Sequence, residues 1–212
     1  MRIHVVNAKN SGNYATELVE HFRIRHEIYV GERRWMKLAR PDGLERDQFD
    51  NADTTYLLAL DETKVVGGTR LVPSVKPHLL SDVFPGLAMK GVPRAPDIYE
   101  WTRVHVVKAR REGRNRGVAL GSLFCGILEF CLKEEISALT ALVEMWWLPH
   151  FNEMGWPVEP LGIPELIENE WSIAIVLPIR AKALASTRAM FGIRGPVLFD
   201  TTSPAEPLRI PA

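Results

Sequence analysis

The stretch that decides the fold is Asp97–Gly121, DIYEWTRVHVVKARREGRNRGVALG. It begins with the β-branched and aromatic residues of a strand, passes through an arginine-rich loop, and ends in an apolar helix that starts near Val118. Free N–H groups at the start of that helix, together with the arginines before it, predict a binding site for an anion. Glu100 and Arg103 lie within the strand. Because they are three residues apart, we expect them on opposite faces.

The arginine-rich loop also contains a spacing that suits phosphate binding. Arg114, Gly117 and Ala119 fit the pattern R-x-x-G-x-A, which resembles the turn that holds the pyrophosphate of coenzyme A in N-acetyltransferase-like folds. The glycine lets the backbone approach phosphate oxygens, and the helix start donates N–H groups. A solvated loop that caps a helix can show the same short pattern. Its position directly after a charged strand favours the phosphate-binding interpretation.

The composition predicts an ordinary globular protein. The chain has 212 residues, of which 46% are hydrophobic and 25% charged, and its formal net charge is zero. A neutral chain has no overall field that attracts nucleic acid or an anionic membrane. The N-terminal residues lack the apolar run of a signal peptide, and Val118–Leu128, the longest uncharged stretch, is too short to cross a bilayer, so we expect a cytoplasmic protein. We expect Cys125 and Cys131 to be buried core residues that form neither a disulfide nor a metal site. No prosthetic group is expected.

Hydrophobic spacing along the chain predicts alternating strands and helices. Besides the strand and helix of the opening stretch, we expect strands at 2–7, 55–60, 64–73, 137–145, 171–179 and 196–199, and helices at 14–30, 147–154 and 181–190. Two long segments, 31–55 and 75–96, show little periodicity. There is no repeat and no linker. The order predicts a single domain over residues 1–212, an α/β/α sandwich in which a mixed sheet carries helices on both faces.

Charged residues accompany aromatic residues in four places along the chain. These are Arg25 with Tyr29 and Trp35; Glu45, Asp47 and Asp50 around Phe49; Arg70; and Glu100 with Arg103. An arginine at a helix end or an acidic loop usually faces water. Arg70 and Glu100 lie within strands instead, where an unpaired charge is costly, and we expect them to belong to one ionic network.

Taken together, these groups resemble the acyl-homoserine-lactone synthases, the autoinducer synthases of bacterial quorum sensing. The resemblance rests on four motifs in the family's order: R-x3-Y-x5-W at Arg25–Trp35, E-x-D-x-F-D at Glu45–Asp50, T-R-L-x-P at Thr69–Pro73 and E-x-T-R at Glu100–Arg103. Three positions depart from the family pattern without removing a charge. Tyr29 stands where phenylalanine is usual, Thr102 replaces serine, and Trp101 is bulkier than the common phenylalanine or leucine.

The resemblance implies an N-acetyltransferase-like fold and an acyltransferase reaction. The α-amine of S-adenosylmethionine attacks an acyl thioester, and the methionine carboxylate then closes on its own γ-carbon, which releases methylthioadenosine and leaves a lactone. A zwitterionic substrate needs both signs of charge nearby, so we expect it to bind at Arg25, Trp35, Asp47, Asp50, Arg70 and Arg103. Glu100, acting directly or through a water, is the candidate catalytic base, and backbone N–H groups after Arg103 are candidates for stabilising the oxyanion.

The resemblance leaves the acyl donor open. Most of the family resembled uses an acyl-carrier protein, for which Arg180, Lys182, Arg188 and Arg194 would form a basic docking face. A smaller branch uses acyl-coenzyme A, and the turn at 114–119 favours that donor.

The acyl pocket is expected at Trp101, Thr140, Met145, Trp146 and Trp147. Their bulk predicts short or branched acyl groups, whereas the Thr140 hydroxyl suits 3-oxo chains. We give the bulk more weight, because an added aromatic ring removes volume outright while a hydroxyl can find another partner.

Two other functions share part of this pattern. An N-acetyltransferase that acylates another amine would have the same fold and the same turn, but would not need the groups around Arg25 and Asp47. A protein that binds nucleic acid through the basic run at 108–116 is disfavoured by the zero net charge and by the lack of aromatic residues within that run.

Overall fold

The computed structural model describes residues 1–111 and 117–199. Within these ranges eight strands form one sheet: β1 (Arg2–Val6), β2 (Thr55–Asp61), β3 (Lys64–Pro73), β4 (Ile98–Val106), β5 (Ala138–Glu144), β6 (Glu159–Pro160), β7 (Glu165–Ile167) and β8 (Glu170–Pro178). The helices are α1 (Ala15–Arg25), α2 (Leu79–Asp82), α3 (Lys108–Arg111), α4 (Val118–Lys133), α5 (Trp147–Glu153) and α6 (Ala181–Phe191). A π-helix (His26–Glu32) continues α1, and three short 3-10 helices span Ser11–Tyr14, Met36–Leu38 and Pro85–Leu87. Every one of these helices falls short of the length and apolar content that crossing a bilayer requires.

The sheet is antiparallel except at its centre. The strands follow the order β1-β2-β3-β4-β5-β8-β6, with β7 also paired to β8, and only β4 and β5 among the described strands run parallel. A parallel pair needs a crossover connection, and α4 supplies it. The apolar side chains of α4 pack on the sheet with Ile3, Leu57 and Trp101, while α1 packs on the opposite face with Val6 and Leu58. Helices therefore cover both faces, as the sequence predicts.

The parallel pair at the centre is short, and this creates a gap in the sheet. Ile98–Glu100 pairs with Ala138–Thr140, and no register pair joins the two strands beyond these residues. Both strands nevertheless continue, β4 to Val106 and β5 to Glu144. Residues from the separated halves line one common cavity. Backbone N–H and C=O groups at the two inner edges are thus free of a partner strand, which suits an extended ligand.

A bulge in β4 changes where the charges of this strand point. Gly68 pairs with His105 and Arg70 with Thr102, so that Arg103 and Val104 have no register partner on β3. Arg103 has a φ of 59°, in the left-handed region that is uncommon for residues other than glycine. Its guanidinium reaches the same acid, Asp47, as Arg70 does. The expectation that Glu100 and Arg103 lie on opposite faces is therefore wrong, because the bulge interrupts the alternation of the strand.

Several other boundaries differ from the sequence-based expectations. The helix expected at 14–30 begins as a 3-10 turn and ends as a π-helix. Residues 196–199 form no strand but only a parallel bridge between Ile3 and Leu198, although Ile3 N–H donates to the Val197 carbonyl in strand fashion. The aperiodic segment 75–96 contains α2, and β6 and β7 were not expected. These elements are short, so they leave no periodic signal in the sequence.

Two buried histidines make the stability depend on pH. Burial lowers the pKa of His105 to about 4 and the pKa of His21 well below its ordinary value. Their rings lie 4.9 Å apart, and Gly68 makes room for His21, since a Cβ there would come within 2.7 Å of its Nδ1. Both rings stay neutral in the folded protein at a pH where the unfolded chain is protonated. Because the unfolded state then binds more protons, stability is complete above about pH 6.5 and falls as the pH drops towards 4.

We expect the free energy of unfolding in urea to decrease between pH 7.5 and pH 5, with His105 contributing about 2 kcal/mol. His105→Gln should remove that part of the pH dependence. His150→Gln, at an exposed position, is the matched control and should leave the slope unchanged. Equal slopes for the His105 variant and the unmodified chain would contradict this account.

Candidate active site

A large cavity passes through the gap between β4 and β5. Its volume is about 740 Å³, and its lining residues lie on both faces of the sheet. On the face covered by α4 its lining is aromatic, with Trp101, Trp147 and Phe151. On the other face it is lined by charged and apolar side chains, namely Trp35, Asp47, Leu79, Val83, Phe84, Thr102, Arg103, Leu142, Glu144 and Ile167. The cavity thus joins an apolar compartment to a charged one.

The charged compartment rests on a buried ionic cluster. The Arg25 side chain is fully buried and donates to Glu45 Oε2 at 2.6 Å and to Asp50 Oδ1 at 2.7 Å. Burial by itself lowers the pKa of Arg25, but Asp50 and Glu45 outweigh this effect and raise it. Burial would likewise raise the pKa values of Glu45 and Asp50, yet the neighbouring arginines hold both below their ordinary values. All three groups stay ionised, and Arg25 is occupied by the protein itself.

Two further arginines connect this cluster to the cavity. Arg70 Nη1 donates to Asp47 Oδ1 at 2.6 Å, and Arg103 donates to Glu45 and, at 3.1 Å, to Asp47 Oδ2. The side chains of Arg103 and Asp47 remain 8% and 14% exposed, whereas those of Arg25, Arg70 and Asp50 are at most 1% exposed. The cluster therefore presents one ion pair, Asp47 with Arg103, to the cavity.

Aromatic rings lie next to this ion pair. Tyr29 and Trp35 stack with their centroids 5.3 Å apart, and the guanidinium of Arg33 lies 5.1 Å from the centre of the Trp35 ring. Burial raises the pKa of Tyr29 to about 12, and its hydroxyl donates to the Val104 carbonyl at the bulge. Arg33 also pairs with Glu144 at the end of β5. The ring of Trp35 thus already lies close to one cation, Arg33, whose charge is paired with Glu144.

Glu100 lies apart from the ionic cluster. Its carboxylate is fully buried and accepts hydrogen bonds from Leu79 N at 3.0 Å, Leu80 N at 2.6 Å and His78 Nδ1 at 3.1 Å. No contact within the described residues joins it to Arg70, so the single ionic network expected from the sequence is wrong. Glu100 is also absent from the cavity lining. Its role as a catalytic base stays a prediction.

The residues predicted for the acyl pocket separate into two groups. Trp101 and Trp147 line the cavity, and Trp101 Nε1 donates to Thr69 Oγ1 at 2.7 Å. Thr140 is fully buried, and its hydroxyl has no partner within the described part of the chain. Trp146 stacks on Trp147 with a centroid distance of 4.6 Å but is 46% exposed and outside the lining. Met145 is partly buried and packs against the core.

The predicted pyrophosphate turn falls partly outside the described residues. Arg114 lies in the range that the structure leaves undescribed. Gly117 has a φ of 88°, which favours glycine, and directly precedes α4. Ala119 lies buried in the first turn of α4. The start of this helix therefore has the backbone geometry that the turn requires.

Comparison with known proteins identifies the fold and the family. A sequence model described as "Autoinducer synthase" matches residues 9–186. The isovaleryl-homoserine lactone synthase of Bradyrhizobium diazoefficiens is 48% identical over 184 residues, which cover 86% of this chain and 82% of that protein. The chain belongs to the autoinducer synthase family.

Solved structures agree with this assignment. A CoA-dependent acyl-homoserine lactone synthase, BjaI, has been solved with SAM and isopentyl-CoA. Its structure superposes on the present chain with a TM-score of 0.88 at 44% identity, and the match covers 93% of this chain and 92% of BjaI. An acyl-CoA N-acyltransferase from Pseudomonas aeruginosa, 15% identical, has a TM-score of 0.57 and covers 82% of this chain and 97% of its own. The first confirms the predicted acyltransferase family, and the second confirms the predicted fold class.

Sequence reasoning missed several cavity residues of the synthase. Phe84 and Leu79 lie in the aperiodic segment after β3, and Glu144 ends a strand, so none of them stands out by pattern. Phe151 could have been found, because it follows Trp147 by four residues on a helix and therefore shares its face.

The buried cluster predicts a large loss of stability when one partner is removed. Arg25→Ala leaves Glu45 and Asp50 buried without their shared cation, and we expect it to lower the free energy of unfolding of the synthase by about 3–5 kcal/mol. Arg46→Ala is the matched control, because Arg46 pairs with Asp42 at the surface and should leave stability unchanged. Urea unfolding of both variants at pH 7.5 measures the difference, and equal losses would contradict the account.

Proposed function

We propose that this chain makes an acyl-homoserine lactone in the cytoplasm from S-adenosylmethionine and an acyl-coenzyme A thioester, and that residues 1–212 act as one synthase domain. The observation that carries the proposal is the ion pair of Asp47 and Arg103, presented beside Trp35 in a cavity that crosses the sheet. An ammonium and a carboxylate on one substrate match a carboxylate and a guanidinium on the protein. The BjaI structure, with both substrate types bound, supports this choice.

S-adenosylmethionine is assigned to the charged compartment. Asp47 would hold the ammonium, Arg103 the carboxylate, and Trp35 would face the sulfonium. Arg25, Arg70 and Asp50, expected from the sequence to bind the substrate, would instead hold Asp47 and Arg103 in place, since their charged groups are buried behind them. This arrangement keeps the two binding groups fixed, so little order is lost when the substrate binds.

The acyl thioester is assigned to the gap and to the aromatic compartment. The pantetheine arm of coenzyme A is extended and carries amide groups, which the unpaired inner edges of β4 and β5 can match. The N–H groups at the start of α4, directly after Gly117, would hold the pyrophosphate. The acyl chain would then point towards Trp101, Trp147 and Phe151.

Two bond exchanges complete the reaction. The amine nitrogen attacks the thioester carbonyl carbon, the carbon–sulfur bond breaks, and coenzyme A leaves as a thiol with the proton that the amine loses. The carboxylate oxygen then attacks the γ-carbon, the bond to the sulfonium breaks, and neutral methylthioadenosine leaves. N–H groups at the bulge after Arg103, which lacks a partner on β3, are suited to the oxyanion of the first step.

The amine can lose its proton with little help from a base. An α-amino group has an ordinary pKa of about 7.7–8.0, so a substantial fraction of the free substrate is neutral near pH 7.5 and can bind in the reactive form. Glu100, the base expected from the sequence, accepts three hydrogen bonds behind the cavity surface and is not placed to take a proton directly from a ligand there. A direct role for Glu100 is therefore not required by the mechanism.

An acyl-carrier protein is the weaker candidate donor. Of the basic residues proposed for docking, Arg188 pairs with Glu129 at 2.8 Å, which removes one charge from that surface. Purified protein incubated with S-adenosylmethionine and either isovaleryl-coenzyme A or an isovaleryl-carrier protein tests the proposal. Lactone and methylthioadenosine, detected by mass spectrometry, should form faster with coenzyme A. Their absence with both donors would refute the function, and faster formation with the carrier protein would refute the choice of donor.

Asp47→Asn should lower kcat/KM for S-adenosylmethionine by about 100-fold, because it removes the charge that faces the ammonium and the ion pairs with Arg70 and Arg103. Asp53→Asn is the control, since Asp53 forms an exposed pair with Lys76. Thermal unfolding should show both variants folded. A folded Asp47 variant with most of its activity would remove this residue from the site.

Trp147→Ala should shift the preferred donor towards longer acyl chains, because it enlarges the aromatic compartment. In the unmodified protein, four- and five-carbon donors should exceed twelve-carbon donors in kcat/KM. Trp146→Ala removes an exposed ring outside the lining and should shift the preference less. Equal kcat/KM values for four- and twelve-carbon donors in the unmodified protein would sink this pocket assignment.

A further inference from the structure

The buried carboxylate of Glu100 binds one short segment of the chain. All three of its hydrogen-bond donors, His78 Nδ1 and the N–H groups of Leu79 and Leu80, come from the start of residues 78–84, which we name the wall segment. Glu100 lies on the central strand β4, and both it and His78 are fully buried. A carboxylate buried with three donors is a strong, fixed attachment point. The wall segment is thus fastened to the middle of the sheet.

The contact with Glu100 indicates which ring nitrogen of His78 carries the proton. We assign the proton to Nδ1, because this nitrogen lies 3.1 Å from the Glu100 carboxylate, whereas the Ser81 N–H group lies farther away, with its nitrogen 3.4 Å from Nδ1. Nε2 has no partner within the described residues. His78 is also the N-cap residue of α2. The backbone N–H of His78 donates to Ser81 Oγ at 3.1 Å. His78 therefore links the start of α2 to β4 through a single hydrogen bond.

The fastened segment forms one side of the charged compartment. Leu79, Val83 and Phe84 line the cavity. Leu80 points away from the cavity and is fully buried with Leu87 and Ala174. Glu100 shares the face of β4 with Thr102, which pairs with Arg70, so the wall segment lies on the face opposite Trp101. A displacement of this segment would alter the charged compartment and leave the aromatic one in place.

We propose that His78 is a positioning residue for the S-adenosylmethionine side of the reaction. By donating to Glu100 it fixes the wall segment, and with it Leu79 and Phe84, against the compartment that holds this substrate. The inference rests on the proposed function for the identity of the substrate. It assigns to Glu100 the part of an anchor and gives His78, which no motif of the family resemblance includes, a defined role.

Replacement of His78 by two different amides tests the role of Nδ1. The amide nitrogen of asparagine lies as far along the side chain as Nδ1, whereas that of glutamine lies as far as Nε2. His78→Asn should keep the bond to Glu100 and also caps a helix well, so its kinetics should stay within about twofold. His78→Gln loses a hydrogen bond to a charged group, and its KM for S-adenosylmethionine should rise about tenfold.

We expect the variants to change the KM of only one of the two substrates. In His78→Gln, and equally in Glu100→Gln, the KM for acyl-coenzyme A and the pH dependence of kcat should stay unchanged while the KM for S-adenosylmethionine rises. His4→Gln, on the edge strand β1 and outside the cavity lining, is the control and should match the unmodified protein. A Glu100→Gln variant whose kcat drops 100-fold at constant KM and recovers at high pH would overturn the proposal and make Glu100 the base. Equal losses in the Asn and Gln variants of His78 would also overturn it.

A second measurement does not depend on enzymatic activity. It therefore tests the proposal even if a variant folds poorly or the protein has a different function. Amide hydrogen exchange of peptides spanning 79–84 should speed up in His78→Gln and Glu100→Gln and remain slow in His78→Asn. Exchange in α6 should be the same in all of them. If the unmodified chain forms no lactone, the proposed function fails while the exchange result still decides whether His78 fastens the wall segment. Unchanged exchange at 79–84 in both Gln variants would refute that attachment.

Discussion

The structure around the active site depends on one buried ionic cluster. Arg25 holds Glu45 and Asp50, and Arg70 and Arg103 complete it by binding Asp47. The acids come from the long segment between the π-helix and β2, which has little regular structure of its own, and the arginines come from helix and sheet. Without these bonds little would hold the segment on the sheet, because Phe49 is its largest fully buried apolar side chain. The cost of burying three arginines is offset only because each finds a carboxylate.

Much of the fold could be predicted from the sequence because its main elements are long and periodic. The strand around Trp101 and the helix that follows were visible as apolar runs, and the order of the elements indicated a mixed sheet with helices on both faces. The gap between β4 and β5 was not visible, since it depends on where two strands stop pairing and not on their composition. The bulge at Arg103 could not be predicted either. Arginine rarely adopts a positive φ, so the residue type does not indicate a bulge.

The candidate site was predictable where charge made the residues conspicuous. The residues at positions 25, 45, 47, 50, 70 and 103 were selected because they are charged, lie near aromatic residues or within strands, and match the motifs of the family resemblance, and the structure does bring them together. The same reasoning failed for Glu100, because its partners are two backbone N–H groups and a histidine from an aperiodic segment. Backbone donors have no sequence signature. A buried acid can therefore be recognised from sequence, but the groups that satisfy it cannot.

The gap at the centre of the sheet has a consequence for turnover. Under the proposed assignment the two leaving groups occupy different parts of the cavity, methylthioadenosine beside Asp47 on one face and coenzyme A in the gap where β4 and β5 separate. Neither therefore occupies the place of the other. An enzyme with this layout can discharge its two by-products in either order, and each by-product competes with its own parent substrate for one compartment only.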